Sequence, residues 1–195
     1  MQLREIINTL RRTARLGLAA TAFMAALTAW GEARPAKEEE AAMKLTSNAF
    51  EDGKAIPVKY TGFDADVSPP LHWSGAPAGT KGFALICDDP DAPMGTWVHW
   101  VIYGLPATAD GLPEGVPAEE SLLSGARQGV NDFRRVGYGG PLPPAGKPHR
   151  YFFKLYALDI ELSLRPWASK TELLRTMKGH TLAEAQIVGT FQRPR

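Results

Sequence analysis

The feature that most constrains this chain is the stretch from Lys81 to Asp88. Within it Phe83-Ala84-Leu85-Ile86-Cys87 is continuously apolar, and Pro90 and Pro93 follow almost at once. A run this short, closed by Gly79-Thr80 on one side and by prolines on the other, reads as a buried strand. Trp97 to Leu105 reads the same way, being rich in aromatic and β-branched residues. Arg150 to Asp159 is a third strong strand, and Ala185 to Phe191 a closing one. Ile56-Pro57-Val58-Lys59-Tyr60 alternates with period two and reads as extended, after a turn at Glu51-Asp52-Gly53. Ser68-Pro69-Pro70 cannot be helical, because each proline pushes its predecessor out of the α region. Residues 106–126 are loop-rich. The clearest helix signal comes late: Ser169 can cap, Glu172 completes a capping box, and Gly179 stops the helix. Leu173, Leu174 and Met177 are its expected apolar face. With 19 glycines and 16 prolines in 195 residues, many turns and short strands outweigh a helical bundle. The expectation is a mainly β, mainly antiparallel fold with one or two peripheral helices.

The length suits one domain with a substantial core. Lys+Arg 22 against Asp+Glu 21 leaves no basic footprint for nucleic acid. The single cysteine, Cys87, rules out an intramolecular disulfide and a cysteine-based zinc cluster. Its apolar surroundings favour a structural thiol over a reactive one. The N-terminus carries Arg4, Arg11, Arg12 and Arg15, then runs uncharged from Leu16 to Trp30, with small residues suited to cleavage after Ala33. These are the three parts of a secretory signal, and Arg11-Arg12 points weakly to the twin-arginine route. The expected organisation is a signal peptide at 1–33, a charged linker at 34–42, and one domain at 43–195, periplasmic or secreted. Two alternatives stay open: an uncleaved anchor, and a cytoplasmic protein starting at Met43.

Chemistry-bearing residues collect in three places. Asp88-Asp89-Pro90-Asp91-Ala92-Pro93 puts three carboxylates at a strand end, where like charges raise one another's pKa; a solvated turn is the competing reading. In Trp97-Val98-His99-Trp100, strict alternation puts Trp97, His99 and Val101 on one face and Val98, Trp100 and Ile102 on the other. A lone strand histidine is more often a satisfied core residue. A Gly/Pro-rich loop, Gly137 to Pro148, then runs into His149-Arg150-Tyr151, where His149 and Tyr151 point the same way and Arg150 the other. Imidazole, phenol and exposed backbone N–H groups suit an oxyanion; a structural Ω-loop is the alternative.

Taken together, Ser68-Pro69-Pro70-Leu71-x-Trp73, the Asp88 to Pro93 cluster, the Trp97–His99 strand and Gly139-Gly140-Pro-x-Pro-Pro-x-Gly-x-x-His149-Arg150-Tyr151 resemble the phosphatidylethanolamine-binding protein family. The prokaryotic, Raf-kinase-inhibitor-like branch is the nearer match, over roughly residues 43–193. The resemblance implies a large antiparallel sheet packed on a smaller one, peripheral helices, and a small anion pocket at one end of the sheet. Asp89, Asp91, Pro93, His99, Pro144, Gly146, His149 and Tyr151 match the pocket positions. Arg134, where relatives commonly carry Gly, and Leu142, where many prokaryotic members have Cys, depart from the pattern beside the matched set.

In the pocket so implied, Asp89 or Asp91 accepts a hydrogen bond from His99 or His149, raising the imidazole pKa, and the other ring nitrogen donates to the ligand. The expected function is non-enzymatic binding of a small anion, phosphate or a phospholipid headgroup, with no cofactor and no metal. An inhibitor module acting on a protein partner through its surface is the alternative. A hydrolase is a weaker one, since Ser121 and Ser124 lie in no nucleophile elbow. The resemblance also implies a homodimer. An exported protein would not meet the cytoplasmic kinase of the family label.

Overall fold

The computed structural model describes residues 42–194. The expected signal peptide, and all of the expected linker but Ala42, lie outside the described residues. The centre of the fold is β3 (Gly82–Asp89), every residue of which is buried. It lies between β4 (Trp97–Pro106) and β7 (His149–Leu158), antiparallel to both. Burial on both faces is why its sequence is continuously apolar rather than alternating. The short β6 (Arg127–Gln128) extends the sheet beyond β4, and β8 (Thr181–Phe191) beyond β7. The result is a five-stranded sheet in the order β6-β4-β3-β7-β8. A three-stranded antiparallel sheet, β1 (Lys44–Thr46), β2 (Leu71–Ser74) and β5 (Gly111–Leu112), has the order β1-β2-β5.

Alternation along the central strands sorts side chains into two cores. Phe83, Leu85 and Cys87 of β3 join Tyr151, Phe153 and Leu155 of β7 against Leu45, Leu71, Trp73 and Leu112 of the small sheet. Ala84, Ile86, Tyr156 and Leu158 face the other way, onto Leu173 and Met177 of the helix α1 (Lys170–Met177). Each large apolar side chain so buried stabilises the fold by roughly 1.5–3 kcal/mol. The capping box at α1 is formed: Ser169 Oγ accepts from Glu172 N–H, and the Glu172 carboxylate accepts from Ser169 N–H at 2.8 Å. Gly179 beyond it has φ +82°.

Three local expectations need correction. Leu174 is exposed, because α1 meets the sheet only along the Leu173–Met177 stripe. Val58–Tyr60 is a 3-10 turn rather than a strand. There Tyr60 N–H and Thr61 N–H donate back to Pro57 and Val58 carbonyls, leaving only a bridge at Ala55 to β8. Strict alternation also fails in β4. Asp88 lies opposite Val98 and Cys87 opposite Trp100, so His99 is an extra residue, a β-bulge. Val98 consequently shares the helix-side core with Val101, while Trp100 and Ile102 join the inter-sheet core.

Candidate functional site

The bulge matters because of where it falls. β3 ends, and β4 and β7 begin, at the same end of the large sheet. A cavity of about 210 Å³ opens there, with Asp89, His99, His149 and Tyr151 at its polar floor. The bulge turns His99 toward the same side as Tyr151, whose ring it meets edge-on at 5.1 Å between centroids. Pro93, Trp97, Phe133, Leu142, Pro143 and Pro144 contribute apolar walls.

The floor is held by a few short hydrogen bonds. His149 Nδ1 donates to the Asp89 carboxylate at 2.7 Å, and the other carboxylate oxygen accepts from Asp91 N–H at 2.7 Å. Both Asp89 and His149 are buried. His99 Nδ1 donates to the Gly139 carbonyl, not to an aspartate. That carbonyl is delivered by the Gly/Pro loop, which lies along the free edge of β4. Gly139 N–H donates to the His99 carbonyl, and Asp132 accepts from Val98 N–H at 2.6 Å. Asn131 ties the loop together by donating to the Gly137 carbonyl at 2.9 Å. The expectation of a raised His99 pKa is therefore wrong in sign. Burial is the largest effect and holds the imidazole below its ordinary value, outweighing the Gly139 carbonyl and the fields of Asp89, Asp66 and Asp132.

Tyr151 is fully buried, and among the described residues its hydroxyl is the one buried side-chain polar atom without a hydrogen-bond partner. Burial, reinforced by Asp89, drives its pKa up, so it remains a protonated donor. Leaving such a group unsatisfied costs about 1–3 kcal/mol.

The structure does not bring every expected residue to the cavity. Asp91 turns outward and makes a bidentate pair with Arg150, Nε at 2.8 Å and Nη2 at 2.7 Å. That pairing, chiefly its hydrogen bonds, lowers the Asp91 pKa. Alternation explains it, because Arg150 points away from His149 and Tyr151. Gly146 is exposed outside the cavity, its carbonyl accepting from Gln192 at 2.7 Å. Conversely, Leu142 does not merely lie beside the matched set; it lines the cavity. Arg134 has φ +63°, in the left-handed region that favours glycine. Phe133 and the Gly139 carbonyl were missed at sequence level. The Asn131-Asp132-Phe133 run was the available signal, but its folding back onto β4 is a long-range contact.

Asp88, next to Asp89, faces the helix side and is clasped by Lys154 at 3.1 Å and by Lys170 of α1. Burial raises the thiol pKa of Cys87. A larger cavity, about 590 Å³, lies at the opposite end of the sheet, beside Lys81, Tyr103, Arg127 and Glu161. Size alone would favour it. Yet Arg127 there is engaged by the Leu164 carbonyl at 2.6 Å, and no unpartnered buried polar side chain lines it among the described residues.

Comparison with known proteins gives a consistent picture. The sequence model of the phosphatidylethanolamine-binding protein family matches residues 46–192. A UPF0098 protein of Methanothermobacter thermautotrophicus is 50% identical over 151 residues, covering 77% of this chain and 99% of that protein. One from Aquifex aeolicus is 48% identical over 155 residues, covering 78% and 90%. Among solved structures, a phosphatidylethanolamine-binding protein homologue from Chlamydia trachomatis superposes with a TM-score of 0.72 at 40% identity, covering 78% of this chain and 99% of that one. Escherichia coli YbcL, described as a member of the mammalian PEBP family, gives 0.74 at 35% identity, covering 79% and 100%.

Proposed function

The chain belongs to the phosphatidylethanolamine-binding protein family, and from that premise we propose that it works by binding a small phosphate-type anion at the Asp89–His99–His149–Tyr151 cavity, without turning it over. The observation that carries this reading is the unpartnered Tyr151 hydroxyl. A fully buried donor at the floor of a cavity is satisfied at little further cost by a ligand oxygen. His149, oriented by Asp89, supplies a second ring nitrogen to the same space. Among the described residues no serine, threonine or cysteine lines the cavity, which favours binding over hydrolysis. Tyr151 is held protonated, and Cys87 is a buried core thiol whose pKa is pushed up.

With no Lys or Arg lining the cavity among the described residues, affinity for free phosphate should be weak, about millimolar, or roughly 4 kcal/mol. A larger phosphorylated ligand gains further contacts from the apolar walls. We place the protein in the periplasm or outside the cell, on the strength of the basic and apolar segment at 1–33. N-terminal sequencing of the protein recovered from its native host checks that.

The test is a titration with phosphate and with phosphorylethanolamine, following the histidine ring signals by NMR. His99 and His149 should move together. His72, beside Asn48, and His180, paired with Asp159, serve as internal controls and should not. His149→Ala should abolish the response with the circular dichroism unchanged. Silence of all four histidines at tens of millimolar would discard the pocket reading in favour of a surface that engages a protein partner.

A further inference from the structure

His99 and His149 both border the cavity, and in each ring Nδ1 is already committed. For His99 the commitment fixes the tautomer. A carbonyl oxygen can only accept, so the hydrogen sits on Nδ1 and Nε2 is left as a bare lone pair. Among the described residues Nε2 has no hydrogen-bond partner, and His99 lines the cavity. Adding a second proton to this ring is opposed by its burial. The charged groups acting on it are Asp89 at the end of β3, Asp132 on the loop along β4, and Asp66 from the segment before β2, and together they do not offset that burial. Arg150 on β7 is turned away and held by Asp91.

The cavity floor is thus unlike a simple anion hole. Tyr151 offers a donor, whereas His99 Nε2 is a free acceptor; both Asp89 oxygens are already engaged by His149 and Asp91 N–H, and His149 borders the same space with its second ring nitrogen. An oxyanion with no hydrogen of its own, such as sulfate or a phosphodiester, presents lone pairs to lone pairs there. Inorganic phosphate near neutral pH still carries a P–O–H, and a phosphomonoester carries one as its monoanion. Resting on the anion-pocket reading above, we infer that the site selects oxyanions bearing a hydrogen, with His99 Nε2 accepting the ligand P–O–H and the Tyr151 hydroxyl donating to another ligand oxygen. The ligand class is then phosphate or a phosphomonoester, not the phosphodiester of an intact phospholipid.

Calorimetric or NMR titration with phosphate, sulfate, methyl phosphate and dimethyl phosphate decides this. At about pH 6, near the second ionisation of a phosphomonoester, phosphate and methyl phosphate should bind about tenfold or more tightly than sulfate and dimethyl phosphate. That is the scale of one buried acceptor left unpaired. The advantage of methyl over dimethyl phosphate should shrink at about pH 8, where the monoester loses its hydrogen. Dimethyl phosphate has no such proton to lose, so its own pH dependence reports the protein alone. Nitrogen-15 spectra of the free protein should show His99 with a protonated Nδ1 and an unprotonated Nε2, the latter shifting on phosphate addition. Equal binding of phosphate and sulfate, or a hydrogen on Nε2 in the free protein, overturns the inference while leaving an anion pocket standing. Binding of none of the four overturns the pocket reading itself.

Discussion

Asp88 and Asp89 are consecutive, buried, and at the end of one strand, yet they belong to different parts of the molecule. Alternation turns Asp88 toward α1, where Lys154 and Lys170 provide two full cations. It turns Asp89 toward the cavity, where its side-chain partner is a histidine. The Asp88 cluster closes on itself and fastens the helix to the sheet. The Asp89 cluster stays incomplete: among the described residues a ring nitrogen of His149 and the Tyr151 hydroxyl have no hydrogen-bond partner. The difference between a structural carboxylate and a site carboxylate here lies in which neighbours remain unsatisfied, not in the residue or its burial.

The comparison can be broken by substitution. Asp88→Asn should cost the most stability, about 3 kcal/mol, because it strips the shared partner from two lysines. Lys154 and Lys170 are partly exposed and can recover some hydration, which keeps the loss from being larger. Urea denaturation measures it, and phosphate binding should be untouched. Asp89→Asn should cost less stability, about 1–2 kcal/mol, but weaken phosphate about tenfold by releasing His149. A reversal, with Asp89→Asn the more destabilising and binding intact, would show that the two sites have been assigned the wrong way round.

Tyr151→Phe sharpens the contrast further. Removing a hydroxyl that has no partner should leave stability within about 1 kcal/mol of the parent, or raise it, while phosphate affinity falls several-fold. A large loss of stability would mean that the hydroxyl is satisfied within the protein.

The smallest effect concerns pH. The His99 pKa is lower in the folded protein than in the unfolded chain, where it lies near 6.5. Its contribution to stability is therefore fully present above that value. As the pH falls below it, the unfolded chain takes up the proton first, and stability declines until the folded-state pKa is passed. His99→Gln should flatten this part of the curve. The Asp91 pair acts lower, its contribution being present above the ordinary carboxylate value of 3.8 and lost as pH falls through the depressed folded pKa. Unfolding measured between about pH 2 and pH 7 separates the two windows, since reference His and Asp values lie well apart.

Much of this was legible in the chain. The apolar run at Phe83–Cys87 announced the central strand, because a strand buried on both faces needs no polar alternation. Ser169 and Glu172 announced the start of α1, because a capping box is a local exchange of hydrogen bonds. His149 and Tyr151 were correctly put on one face of their strand, since period two is a property of the extended backbone itself. Tertiary structure decided the rest. The β4 bulge reassigned Val98 and Val101 to one core and aimed His99 beside Tyr151. The folding back of residues 131–139 chose Gly139 as the partner of His99. Arg150 claimed Asp91, leaving Asp89 alone for His149. Backbone periodicity and capping are written in neighbouring residues, so the sequence determines them. Register shifts, hydrogen-bond partners and unsatisfied atoms depend on segments dozens of residues apart, and only their packing together settles which acceptor meets which donor.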